Sequence, residues 1–227
     1  MRIAIAGAGA VGRSVARELV DNGHKVLLIE RDPRKYEPST VPDADWFIAD
    51  ACELSSLEEC GLQTCDVVST ATGDDKVNLA AALLAKTEFA VSRVVARVNQ
   101  SQNERLFTEA WGVDVAVSTP RAIVAATEAT IDVGHLVRLM TLRNGHVNLE
   151  KLTLPGDNPL VGRAVRDLTL PENTALIIMI RGGRVILPRP DDVLRVRDEL
   201  LFAASTAAQD QIQTAVHATP TPREPSS

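Results

Sequence analysis

Up to Val117 the chain alternates short apolar runs with amphipathic stretches. Residues 2–6, 25–29, 46–49, 67–71, 93–96 and 113–117 form near-continuous apolar runs of strand length, such as Lys25-Val26-Leu27-Leu28-Ile29. Between them, residues 11–20, 76–86 and 102–110 read as helices; in the second, Val77, Ala80, Ala81 and Leu84 fall on one face. Strands apolar on both faces that alternate with helices predict right-handed crossovers and a doubly wound parallel sheet. Pro120 then opens a longer helical stretch, residues 121 to about 131, where its missing N–H falls in the first turn.

Beyond residue 136 the pattern changes to short strands, over 137–142, 147–154, 175–181, 184–187 and 199–203. Gly182-Gly183 between two apolar runs predicts a two-residue hairpin, and residues 159–168 read as one short helix capped by Asp157 or Asn158. The expected fold class is therefore α/β: a Rossmann-like doubly wound parallel sheet with a second, smaller α+β domain. The boundaries are 1–134 for a nucleotide-binding domain, 135–213 for the smaller domain and 214–227 for a Thr/Pro/Ser-rich tail expected to be disordered.

The glycines give the sheet a chemical expectation. Gly7-Ala8-Gly9-Ala10-Val11-Gly12 follows the first strand and opens the first helix. At this spacing Gly7 permits the tight turn, Gly9 the approach of a pyrophosphate, and Gly12 close helix packing. The helix N-terminus then faces the phosphates. Glu30 ends the second strand, where a carboxylate accepts hydrogen bonds from an adenosine ribose. That carboxylate favours NAD(H) over NADP(H), although Arg31 beside it could neutralise a 2′-phosphate. Other polar residues are expected at the same carboxyl-terminal edge of the sheet. Asp50 could face the ribose or cap a turn. Thr72-Gly73-Asp74-Asp75 could offer backbone N–H groups, cap the helix that carries Asn78, or both, and Arg97 either binds phosphate or pairs with Asp74 or Asp75.

Composition narrows the class. The chain has 227 residues, 45% hydrophobic and 24% charged, and a net charge of -6, which argues against nonspecific nucleic-acid binding. No apolar run reaches the ~20 residues of a membrane-spanning helix. The N-terminus is expected to be strand one and not a cleavable signal. Cys52, Cys60 and Cys65, odd in number and without a CxxC spacing, read as reduced thiols of a cytoplasmic protein, with no metal site expected. The histidines, His24, His135, His146 and His217, and the single tyrosine, Tyr36, form no triad or metal spacing, so no catalytic residue is assigned.

The chain resembles the TrkA family of cytoplasmic potassium-transport regulators, also called RCK or KTN proteins. The resemblance is carried by the glycine turn, Glu30, Ala49-Asp50-Ala51, the run Thr72-Gly73-Asp74-Asp75-Lys76-Val77-Asn78-Leu79, and Val95-Ala96-Arg97-Val98. In the second unit its carriers are Pro159-Leu160-Val161-Gly162 and Asp198-Glu199-Leu200-Leu201-Phe202. One departure is Ala49, where many relatives have glycine. The resemblance implies a non-enzymatic regulatory subunit with a nucleotide-binding RCK domain and a small TrkA C-terminal domain. Its expected ligand is NAD(H), with ATP and ADP at the same cleft. Its expected partners are a membrane potassium transporter or channel and further copies of itself, dimers that assemble into a ring on the inner face of the plasma membrane. On that pattern the nucleotide meets Gly7, Ala8, Gly9, Ala10, Val11, Gly12, Glu30, Arg31, Asp50, Ala51, Ala71, Thr72, Gly73, Asn78 and Arg97, and the helix after Pro120 pairs subunits. An NAD-dependent oxidoreductase is the alternative; it shares every nucleotide-site feature but needs an acid or base that the sequence does not supply. A redox-sensing transcription regulator would need a recognition helix and a basic face.

Overall fold

The computed structural model describes residues 1–131, 134–142 and 147–217. The chain divides into two compact units, Met1–Arg121 and Ala122–Ser227.

In the first unit, β1 (Arg2–Ala6), β2 (Lys25–Glu30), β3 (Asp45–Ile48), β4 (Val67–Thr70), β5 (Arg93–Val98) and β6 (Val115–Ser118) form one parallel sheet. Its order is β3-β2-β1-β4-β5-β6, so the direction of winding reverses between β1 and β4. In the central strands β1 and β2 the apolar runs are continuous because both faces are covered, whereas the edge strands β3 and β6 stay largely exposed. Ile3, Ile5, Val26 and Leu28 pack with Ala16 and Leu19 of α1 (Ala10–Asp21) on one side. Ala4, Ala6, Leu27, Ile29, Val68 and Val94 pack on the other with Leu57 of α2 (Leu54–Glu59) and with Leu79, Ala82 and Ala85 of α3 (Asp75–Thr87). At about 25 cal/mol per Å² of apolar surface, the two layers supply the main driving force for folding. After β6 the chain leaves the sheet along α4 (Thr119–Ile131).

The second unit is an antiparallel sheet of β7 (Leu136–Leu142), β8 (Val147–Thr153), β9 (Thr174–Arg181), β10 (Arg184–Ile186) and β11 (Glu199–Ser205), in the order β10-β9-β11-β8-β7. Burial alternates residue by residue along β8 and β11, as a sheet with one covered face requires. Leu152, Met179, Leu200 and Phe202 form its core with Ile212 and Val216 of α5 (Gln209–His217). Gly182 and Gly183 both have positive φ, +55° and +76°, and join Arg181 to Arg184 in a tight hairpin of the mirror-image kind.

Three expectations are corrected. Residues 159–168 do not form the expected helix; within them only a single 3-10 turn, Val165–Asp167, is helical. Gly162 sits at φ +85°, and the N–H groups of Gly162, Val165 and Arg166 donate to the distant carbonyls of Leu194, Asp192 and Pro190 instead of closing helical turns. Asn158 caps no helix; it closes a local turn onto the Leu160 N–H. Residues 102–110 form two tight 3-10 segments, Ser101–Leu106 and Glu109–Trp111, separated at the buried Phe107. At the C-terminal end, α5 continues to His217, so residues 214–217 are helical; the rest of the tail, like His146, lies outside the described residues.

Candidate functional site

A cleft of about 560 Å³ opens at the carboxyl ends of β1, β2, β4 and β5, at the point where the strand order reverses. Parallel sheets hold ligands there, because strand ends and helix N-termini converge on one crevice.

The glycine turn forms its floor. Gly7 has φ +104° and its N–H donates to the Ile29 carbonyl at 2.8 Å; a side chain here would sit 3.0 Å from the Thr72 backbone. A Cβ on Gly12 would lie 1.8 Å from the Gly7 carbonyl oxygen, so α1 can reach the turn only without one. Gly9 and Gly73 are different. Both line the cleft, neither has positive φ, and a Cβ on either would meet nothing within 4 Å. The fold itself leaves that space open. Gly9 also caps α1 without a side chain, and the first intrahelical bond runs from the Arg13 N–H to the Gly9 carbonyl. The N–H groups of Ala10, Val11 and Gly12 therefore have no acceptor within the helix, and α1 has no acidic residue in its first turn. An anion at the cleft floor would meet the positive end of a helix.

Glu30 is buried at the end of β2. Its carboxylate accepts the Ala8 N–H at 2.9 Å and the Asp32 N–H at 3.0 Å, so it ties the glycine turn to the loop after β2 while still lining the cleft. Across the rim, Arg31 lies 3.4 Å from Asp50, whose other oxygen accepts the Cys52 N–H. That pair offsets the charge that Arg31 would otherwise offer. Burial and the Asp50 carboxylate push the Cys52 thiol up, so it stays protonated at neutral pH. Cys60 is free and buried, and burial with Cys65 nearby raises it to about 11.

On the opposite wall, the Thr72-Gly73 turn is clamped from behind by Asn78. The Asn78 side chain accepts the Thr72 N–H at 2.9 Å and donates to the carbonyls of Thr72 and Arg97. Asp75, in the first turn of α3, accepts from Asn99, Gln100 and Asn103. Burial raises its pKa, but these donors together hold the carboxyl below the ordinary value. Neither Asp74 nor Asp75 pairs with Arg97. The Arg97 Nε donates to Thr119 Oγ1 at 3.2 Å, and among the described residues no carboxylate lies within ion-pair distance of its guanidinium.

Of the expected site residues, Gly7, Gly9, Ala10, Val11, Glu30, Arg31, Asp50, Ala51, Ala71, Thr72, Gly73 and Arg97 line the cleft. Ala8, Gly12 and Asn78 do not. Ala8 and Asn78 are fully buried behind the wall, and Gly12 packs against the turn. The cleft also takes in Ile29, Lys35, Ala49, Asp74 and Val77. Lys35 could have been found from Asp32-Pro33, which starts a 3-10 turn that carries it back past the end of β2.

The TrkA-N domain model matches residues 3–119 and the TrkA-C domain model residues 149–216. The chain is 56% identical over 212 residues to the Trk system potassium uptake protein TrkA of Mycobacterium tuberculosis, covering 93% of this chain and 96% of that protein. The chain belongs to the TrkA family. A TrkA homolog of Archaeoglobus fulgidus is 30% identical over 208 residues, and this chain spans 48% of its length. Among solved structures, a GsuK channel bound to NAD superposes with a TM-score of 0.63 at 14% identity, over 96% of this chain and 40% of that one. At that identity the likeness establishes the fold alone. The TrkA-N match contains every residue that lines the cleft and ends at Thr119, the residue bonded to Arg97. Among the described residues no helix is long and apolar enough to cross a membrane.

Proposed function

We propose that this chain is a regulatory subunit of a potassium uptake system whose first domain, residues 1–134, binds NAD(H), with ATP and ADP competing for the same cleft. The observation that carries the reading is the space kept free at Gly9 and Gly73, where neither backbone conformation nor packing within the protein demands glycine. A diphosphate approaching the open N–H groups of α1 needs that space. Arg97 faces the same cleft, has no carboxylate partner among the described residues, and supplies a charged donor to a phosphate. Glu30 at the β2 end suits a ribose with a free 2′-hydroxyl, and the Arg31–Asp50 pair makes a 2′-phosphate less welcome, which supports NAD(H) over NADP(H). The Mycobacterium tuberculosis relative is named for potassium uptake and the GsuK channel for bound NAD, which supports the same ligand and process here.

Regulation needs no chemistry from such a site. A ligand that binds two conformations unequally shifts their ratio by its differential affinity, and coupling of about 1–3 kcal/mol needs only a few state-dependent contacts. In the proposed assembly several copies form a ring at the inner face of the membrane, paired through α4, and gate a transporter in response to the nucleotide. The test is calorimetric titration with NADH, NAD, ATP and ADP, with molar mass followed by light scattering. Micromolar binding to a stable multimer, without turnover of metabolites, is expected. A protein that binds none of the four overturns the nucleotide reading, and NADH oxidation dependent on a metabolite moves the assignment to an oxidoreductase.

A further inference from the structure

We infer that Thr119 is a positioning residue for the nucleotide site, fixing Arg97 so that its outer nitrogens face a bound phosphate. The inference rests on the nucleotide reading of the cleft. Arg97 lies on β5, and its side chain reaches the cleft from the end of the sheet next to β6. A free arginine side chain carries much rotamer entropy, of order 2 kcal/mol, which a phosphate would otherwise have to overcome. Here one of its nitrogens is already held: Nε donates to Thr119 Oγ1 at 3.2 Å. Among the described residues nothing bonds its two terminal nitrogens, which are left for the ligand in the planar fork that suits phosphate oxygens.

Thr119 is itself well anchored. It is the first residue of α4, and the Ser118 hydroxyl beside it receives the Arg121 N–H at 3.4 Å. The Arg121 side chain pairs with Glu104 at 2.8 Å on the 3-10 segment that follows β5. Asp75 grips that segment through Asn103 at 2.8 Å, and Asp75 belongs to the same helix turn as Asn78, which clamps Thr72. Both walls of the cleft, Thr72 and Arg97, are therefore referenced to one hydrogen-bonded framework that includes the start of α4. Binding at Arg97 and the placement of that first turn are reciprocally linked.

A double-mutant cycle tests this, with ADP affinity measured for the wild type, Thr119→Val, Arg97→Ala and the double variant. Thr119→Val keeps the shape and removes the acceptor. It is expected to weaken ADP about fivefold, the size of one hydrogen bond. It should have no further effect once Arg97 is alanine, while Thr119→Ser restores wild-type affinity. Thermal unfolding of each variant identifies any that is not folded. An equal loss from Thr119→Val in both backgrounds would mean that threonine supports the helix and not the arginine, and would overturn the inference. So would wild-type affinity in Thr119→Val. If wild-type protein binds no nucleotide at all, it is the reading of the cleft that fails, a separate result.

Discussion

Gly9 and Gly12 lie three residues apart in one motif, yet their substitution by alanine should have opposite consequences. At Gly12 a Cβ would stand 1.8 Å from the Gly7 carbonyl oxygen, and the two atoms would have to separate by at least about 1.2 Å to reach the closest approach that Cβ atoms make. Both ends of that contact are backbone, held by the β1–α1 turn and by the Gly7 N–H bond to Ile29, so no side chain can swing aside. Overpacking of this kind costs about 3 kcal/mol or more. At Gly9 the Cβ meets nothing, and φ of -68° is open to any residue. Losing glycine as a helix cap costs a few tenths to about 1 kcal/mol, and the stiffer unfolded chain returns about 0.4–1 kcal/mol. The net change in stability is thus close to zero. Ligand affinity should behave the other way. The Gly9 methyl would intrude between a diphosphate and the N–H groups of Ala10, Val11 and Gly12; two weakened charge-assisted hydrogen bonds at ~1.5 kcal/mol each amount to about 100-fold. Urea unfolding gives the first quantity and calorimetry with NADH or ADP the second. A Gly9→Ala protein that is stably folded and binds within threefold of wild type would refute the account of the cleft floor.

Arg97→Ala should weaken phosphate-bearing nucleotides by about 30-fold, from ~2 kcal/mol of charge-assisted hydrogen bonding, with little change in stability because among the described residues the side chain bonds to Thr119 alone; calorimetry beside a thermal melt reads both. Glu30→Gln places an amide where a carboxylate accepts from Ala8 and Asp32, leaving one buried N–H opposite a donor. The cost is about 2 kcal/mol of stability, measured by urea unfolding, along with a relative loss of preference for NADH over NADPH. Asp75 gives a pH signature: its native pKa is below the ordinary 3.8, so its stabilisation is complete above that value and is lost as pH falls through the native pKa. Asp75→Asn should lower stability by about 2 kcal/mol at neutral pH and flatten the acid limb below about pH 4, and an unchanged acid limb would show that the clasp carries no such energy.

The parallel sheet was readable because its physical cause is one-dimensional. A strand covered on both faces must be apolar along its length, and β1 from Ile3 to Ala6 and β2 from Val26 to Ile29 are; the alternating burial of β8 and β11 is equally direct. The cleft was largely readable for a related reason, since its lining comes from strand ends and the turns that follow them, which a parallel sheet collects on one edge. What failed depended on partners distant in sequence. Residues 159–168 have helical composition, but their N–H groups are claimed by carbonyls near residues 190–194, which no local pattern announces. Asp75 and Asn78 look like ordinary first-turn residues of α3, yet their side chains reach 19 to 28 residues along the chain to hold the end of β5 and the segment after it. α5 did carry a signal, since Ala208, Ile212 and Val216 recur at helical spacing and are all buried. Asn78 shows most clearly where inference from position runs out. A polar residue one turn into a helix that begins at a cleft is as well placed to meet a ligand as to brace the wall behind it. Only the direction of its amide, committed at both ends to Thr72 and Arg97, decides between the two.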